Sequence, residues 1–495
     1  MMGGMIMKDN WAVKWPLFLL LLLLTSGLKA QEVTARLDLD RRSPKPQFIE
    51  YVSADKGLVT FGAMSRKSSR YLGVNKYDAL FNKEWSKQVL IQNGRAAVDL
   101  VSVLGENIFV FFSEYVPRKR KIETSYSHFD LEGNILAERE LISELPNAKE
   151  LRVDLKFAQS INKKKLVCYR NLDNASKRET LIYNLFDAES DEIIDGKIEI
   201  PYPDDKFQVR KVVVSNSGNI YVMGKFYLEN RIKTPDDFGF TLYRFKPGES
   251  MGEKVDIELG ELYITDLALK VDRDENIFLA GFFSHRSTEA IGGTVFYRLS
   301  KQLELEVQSA QRFNEDFFNR FLNDRQIEKG REIEDFYLDN IVLRSDGGVL
   351  LIAEKYYSSY NSYMDMYGYW IDQRIHHYDD VIVNSVAANG DLEWSAVAQK
   401  RQSSEYRETL SYLDVVSGAS LFLIYGDQPR RAPRTLYFNE ITLDGEVIPR
   451  ERLLGSPSVD DSFYPRLSEQ ISNYEALLVY FQEKEKIYSV VKVEF

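Results

Sequence analysis

The chain has 495 residues, one Cys, four His and a formal net charge of −11, with 13% aromatic and 28% charged residues. One Cys excludes a disulfide framework and a cysteine-based zinc site, and the aromatic content excludes a chain too polar to fold. The acidic balance argues against nucleic acid as a partner, because that binding comes mainly from Lys and Arg neutralising phosphate.

Lys8 and Lys14 precede an uncharged run over residues 15–28, centred on the leucines of residues 19–24. A basic start and a short apolar core are the plan of a secretory signal peptide, and the run falls short of the ~20 residues that span a bilayer. We expect residues 1–30 to be a signal peptide cleaved after Ala30, and residues 31–495 to be the folded domain. Cleavage removes three Lys and one Asp, which leaves the mature chain at −13 with no transmembrane segment. The expected location is periplasmic, cell-surface or extracellular.

A strand over residues 33–39 comes first, and a unit of strand, polar turn and strand then recurs, centred near 56, 105, 163, 217, 274, 346, 418 and 473. Its clearest copies are residues 212–224, turning at Ser215-Asn216-Ser217-Gly218-Asn219, and residues 269–281, turning at Asp272-Arg273-Asp274-Glu275-Asn276. Asp, Asn, Ser and Gly supply the turn conformations between β-branched and aromatic flanks. A second, outer hairpin follows, with turns at Glu132-Gly133-Asn134, Asn389-Gly390-Asp391 and Asp444-Gly445-Glu446. Two hairpins per unit, repeated every ~40–60 residues, predict the four-stranded blades of a β-propeller. The expected fold is all-β, a single propeller of eight blades, with seven as the alternative if the irregular first or third unit is not a blade. The last unit ends at Phe495 one strand short, and the strand over residues 33–39 is available to complete it and close the ring.

The units Ser217-Gly218-Asn219-Ile220-Tyr221-Val222-Met223-Gly224 and Asp274-Glu275-Asn276-Ile277-Phe278-Leu279-Ala280-Gly281 resemble the repeats of bacterial secreted β-propellers. Residues 338–402 contain Arg344-Ser345-Asp346-Gly347-Gly348, Ala353-Glu354-Lys355-Tyr356-Tyr357, His377-Tyr378-Asp379-Asp380 and Asn389-Gly390-Asp391-Leu392-Glu393-Trp394. That stretch resembles an uncharacterised family of exported Bacteroidetes-type proteins. The resemblance implies no assigned activity and supplies no catalytic residues.

In a blade of antiparallel strands a–b–c–d, the a–b and c–d turns share one face and the b–c and d–a connections share the other. The long connections all fall in the second class. They are the basic tips Pro117-Arg118-Lys119-Arg120-Lys121 and Pro429-Arg430-Arg431-Ala432-Pro433-Arg434, a helical insertion over about residues 310–334, and an aromatic loop over about residues 356–378. Phe313, Phe317, Phe321 and Leu322 set the helical spacing of the insertion. Elaboration on one face of a rigid scaffold is where binding residues are expected.

The aromatic loop carries Tyr356, Tyr357, Tyr360, Tyr363, Tyr367, Tyr369 and Trp370, with Met364 and Met366 among them. These side chains suit stacking on sugar faces or anchoring a protein partner. The competing reading is an extended b–c hairpin packed on the helical insertion. His376-His377 beside Asp379-Asp380 does not make a metal site, since neighbours on a strand point to opposite faces. No metal, cofactor or catalytic residue is assigned. Acidic candidates on the loop-rich face are Glu114, Asp236, Asp237, Asp365 and Asp372; Glu354 either points toward the central channel or, the favoured reading, is a partly buried partner of Lys355 or Arg344. Cys168, in an apolar run, is expected to be a buried small hydrophobe, and Asn174-Ala175-Ser176 is a glycosylation pattern relevant only in a eukaryote. The expected function is binding of an unknown glycan or protein by a monomer, with a polysaccharide hydrolase or lyase as the alternative.

Overall fold

Apolar runs and apolar alternation build different strands. Ile277–Ser284 is buried at every position, as a strand covered on both faces must be. Lys83–Ile91 instead turns Trp85, Lys87, Val89 and Ile91 toward protein and its other side chains outward, as an outermost strand does. The computed structural model describes residues 32–495 except 40–44, 67–68, 92–95, 147–154, 173–177, 191, 229–233, 235–236, 365, 428–434 and 453–460. The expected signal peptide, Asn174 and the basic tip at residues 429–434 lie outside the described residues.

Among the described residues, eight antiparallel sheets of four or five strands follow one another along the chain, besides a two-stranded ribbon of Ala290–Ile291 and Ile333–Glu334. Seven of them pair their strands in sequence order a–b–c–d, and all eight first hairpins turn where the repeat predicts. Blades 1 to 7 span residues 46–91, 96–146, 156–203, 207–257, 263–312, 336–398 and 413–452. Blade 8 takes its inner strands from residues 462–494, and Glu32–Asp38 pairs antiparallel with Ile487–Glu494 as its outermost strand. The first and third units are blades like the others, so the seven-bladed alternative falls away. One apolar cluster fills each junction between successive blades. The eighth cluster joins Leu37, Leu39 and Leu477 of blade 8 to Ile49, Tyr51 and Leu58 of blade 1, which closes the ring.

The glycine that ends the repeat motif has a steric cause. A Cβ on Gly224 would meet the Phe207 ring, and one on Gly281 would meet the Asp266 carbonyl, both at 2.0 Å. Each carbonyl or ring comes from strand a of the same blade. In blades 1, 2, 4 and 6, strand a also carries a one-residue bulge opposite the same step of strand b. The unpaired residues are Gln47, Asp99, Arg210 and Asp339. A bulge re-aims the side chain it carries, so this step of the repeat delivers polar groups from the innermost strands.

The helical insertion is present but shorter than its Phe spacing predicts. Strand d of blade 5 runs on to Arg312, and two single-turn helices follow, α1 (Glu315–Phe318) and α2 (Asp324–Glu328). Asn314 caps α1, and Asn323 starts α2 with a capping box to Gln326, so the polar caps divide the segment. Phe313, Phe317 and Phe318 are buried against Phe282 and Phe336 over the junction of blades 5 and 6. Anchoring by these rings, rather than helix length, holds the insertion.

Candidate functional site

The aromatic loop is a b–c hairpin of blade 6, formed by Val349–Met364 and Trp370–Val386. Its register pairs Tyr356 with Tyr378, Tyr357 with His377, Tyr360 with Arg374, Tyr363 with Ile371 and Met364 with Trp370. The hairpin divides into a packed base and an exposed tip. At the base, the Tyr356 hydroxyl lies 2.9 Å from His376 Nδ1, and its ring sits 4.9 Å from that of Tyr378. The Tyr357 hydroxyl donates to Asp379 at 3.1 Å and its ring stacks on His377 at 4.5 Å. The two histidines therefore do point to opposite faces. Burial, followed by the Arg407 charge, lowers the His376 pKa, and burial beside Asp379 raises that of Tyr357.

What holds the base differs from the expectation. Gln402–Ser404, in the connection from blade 6 to blade 7, pairs with residues 376–378, and Arg407 donates to the Tyr378 hydroxyl at 2.8 Å. The Asp335 carbonyl and the Tyr337 ring meet Tyr356 from the other side. Beyond this collar, Tyr360, Tyr363, Tyr367, Tyr369 and Trp370 are exposed, Trp370 to 68% and Tyr367 to 78%. Strand alternation sets Tyr360, Arg374, Ser362, Asp372, Met364 and Trp370 on one side of the hairpin. Two flat rings lie there ~13 Å apart along the strands, at ~3.3 Å per residue, with polar rungs between them.

The acidic candidates do not converge. Glu114 faces Glu123 across two strands of blade 2, Asp237 accepts from the Thr234 amide at 2.8 Å, and Asp372 accepts from Ser362 at 2.5 Å. Asp236 and Asp365 lie outside the described residues. Glu354 is buried as expected, but its partner is Lys400, not Lys355 or Arg344. Ser411 also donates to Glu354, at 2.6 Å, while Lys400 donates to the Tyr378 carbonyl and to Gln402, both at 3.0 Å. Arg344 pairs instead with Asp346 and Glu393. Cys168 is buried and its thiol is pushed up to about 12 by that burial, as an inert structural cysteine should be.

Two features escaped the sequence. The first is the charged lining of the central channel. Asp339, open to solvent at the channel, accepts from the Tyr412 hydroxyl at 3.1 Å, and its carboxyl is pushed up to about 7, first by desolvation among the surrounding inner strands and then by Glu354. Asn340 donates to Asp414 of blade 7 at 3.0 Å. The second is a cavity of about 560 Å³ on the opposite, turn-rich face, lined by Arg344, Trp394, Leu421, Leu443 and Tyr474. Among the described residues no group of three or more His, Cys, Asp or Glu is placed to hold a metal ion, and no helix is long and apolar enough to cross a membrane.

No family model and no curated protein matches the chain. Among solved structures, it is similar to the WD40 domain of SCAP from fission yeast at 10% identity, covering 93% of this chain and 98% of that one, with a TM-score of 0.41. It is also similar to the β-propeller domain of the trilobed protease from Pyrococcus furiosus, at 12% identity over 84% of this chain and all of that one, with a TM-score of 0.38. The propeller assignment stands on this chain's own sheet order and closing strand.

Proposed function

We propose that this protein is an exported glycan-binding propeller that engages its ligand on the loop-rich face, with the blade 6 hairpin as anchor. One observation carries the reading: the hairpin projects Tyr360 and Trp370 on one side with Ser362, Asp372 and Arg374 between them. Rings of this kind bury a sugar face at small entropic cost, and side-chain donors and acceptors between them meet the hydroxyls. Exposed aromatic area of this extent is unusual on a surface with no partner. The test is a glycan array probed with the mature protein and with a variant lacking residues 358–375. Signal from the intact protein that the deletion abolishes supports the reading, and signal that survives the deletion removes the hairpin from it.

A polysaccharide-active enzyme is the second reading, favoured by Asp339 alone. Its carboxyl, held near neutrality beside the Tyr412 hydroxyl and near Glu354, has the environment of a general acid. Glycoside cleavage commonly uses two carboxyl groups in distinct environments. Loss of product formation from polysaccharide in Asp339→Asn would support this reading, and no product from the native protein would end it.

A further inference from the structure

Two adjoining cavities meet between blades 4, 5 and 6. One, of about 410 Å³, opens on the loop-rich face and is lined by Arg210, Lys225, Tyr227, Thr288 and Tyr337. The other, of about 340 Å³, lies among the innermost strands, lined by Lys211, Lys270 and Asp339. Arg210 and Asp266 line both. Their closest approach is 3.7 Å, too long for a hydrogen bond. Arg210 is also the bulge residue of blade 4, so the backbone irregularity is what places its guanidinium there.

Two lysines in these cavities, Lys225 and Lys270, lack acceptors, whereas the exposed Arg210 donates to Gln208 at 3.5 Å. Lys225 is only 8% exposed, and its ammonium rests 3.8 Å from the Phe238 ring centroid and 5.4 Å from that of Tyr227. Among the described residues nothing accepts a hydrogen bond from it, and the same holds for Lys270. Burial, then the Arg210 charge, pushes Lys225 down to about 8. Burial lowers Lys270 as well, and Lys211 adds to the effect against Asp414. Asp266 offers limited neutralisation, because its oxygens already accept from the Leu267 amide at 3.0 Å and the Leu338 amide at 3.3 Å. A buried ammonium without an acceptor, as at Lys225, is costly, and an anion seated between it and the exposed Arg210 would relieve that cost.

The mouth has the opposite character. Glu289, Glu334 and Asp335 are exposed acceptors on the same rim. A ligand that brings only a carboxylate would leave these acids without donors. A sugar brings several hydroxyl donors together with its acidic group. Tyr337 ties the rim to the hairpin, its ring 6.2 Å from that of Tyr356.

We propose that the two cavities form a subsite for an acidic sugar, its carboxylate or sulfate seated between Lys225 and Arg210 and its hydroxyls turned to the acidic rim. The proposal rests on the glycan reading of the loop-rich face, but not on the hairpin tip. Calorimetric titrations with tri-galacturonate, a sulfated galactose disaccharide and neutral galactotriose test it. One or both acidic sugars should bind, which also tells carboxylate from sulfate, and the neutral sugar should not. Lys225→Met should weaken that binding about tenfold or more, the loss expected for a charged hydrogen bond. As a measurement that needs no variant, the bound acidic sugar should protect Lys225 from reductive methylation, read by peptide mass spectrometry. No binding by either acidic sugar, equal binding of galactotriose, or binding of a penta-glutamate peptide in their place overturns the proposal. Loss of binding in Tyr360→Ala/Trp370→Ala but not in Lys225→Met would overturn the subsite and leave the hairpin reading standing. Loss in Lys225→Met supports the subsite whatever the tip variant does.

Discussion

Ring closure by the N-terminal strand can be tested at two side chains. Leu37 and Leu39 are 7% and 4% exposed, and both belong to the cluster that joins blade 8 to blade 1. A buried Leu→Ala change costs ~2–5 kcal/mol, from lost transfer energy and the cavity left behind. The two residues sit two apart in one cluster, so the double variant should lose ~4–7 kcal/mol, less than the full sum of ~4–10 kcal/mol. Leu80→Ala is the control, because Leu80 is 78% exposed and such a change stays within ~0.5 kcal/mol. Urea unfolding followed by tryptophan fluorescence gives the three values. Hydrogen exchange adds the location: Ile487–Glu494, paired to Glu32–Asp38 by six residue pairs, should lose protection first. If the double variant unfolds at the native urea midpoint and exchange in residues 487–494 is unchanged, the strand does not close the ring.

Three further outcomes follow from buried groups. Lys400→Met should destabilise by ~3–5 kcal/mol, because it leaves Glu354 buried without its cation, and Glu354→Gln in the same chain should restore most of that in urea unfolding. Glu50, Asp99 and Glu179 are pushed up to about 7, 6 and 8, chiefly by burial. The native state thus holds protons that the unfolded chain releases near pH 4, so stability should fall as pH rises from about 4.5 to 8. A Glu179→Gln variant should flatten that slope, and a native midpoint that rises over this range would contradict the assignment. Cys168 should react with a thiol reagent only on unfolding, and labelling of the native protein at a free-thiol rate would contradict its burial.

The repeat was legible because its turns are local. Ser215 to Asn219 and Asp272 to Asn276 close the same backbone turn, with Gly218 and Glu275 both at positive φ. The blade count and the closing strand followed from counting such turns. The insertion was over-read because Phe313, Phe317 and Phe321 recur at helical spacing, although capping residues divide the segment. The partner of Glu354 was missed because Lys400 reaches it from the far end of the blade 6 excursion, a contact that no local pattern encodes. The channel lining was missed for a related reason. A bulge cannot be read from one strand, yet a polar residue recurs at one step of strand a, as Gln47, Asp99, Arg210 and Asp339, and that recurrence was visible in the sequence. The hairpin's paired strands are legible as an extended b–c connection, but its collar from residues 402–407 is not, since it comes from a connection with no periodicity.

The most direct test of the account is the affinity of the protein for its best array glycan, set beside that of Tyr360→Ala/Trp370→Ala. Buried aromatic anchors typically carry more than ~1–2 kcal/mol each, so the account predicts a loss of about tenfold per ring with the fold intact by thermal melting. Equal affinity in the two proteins would contradict it.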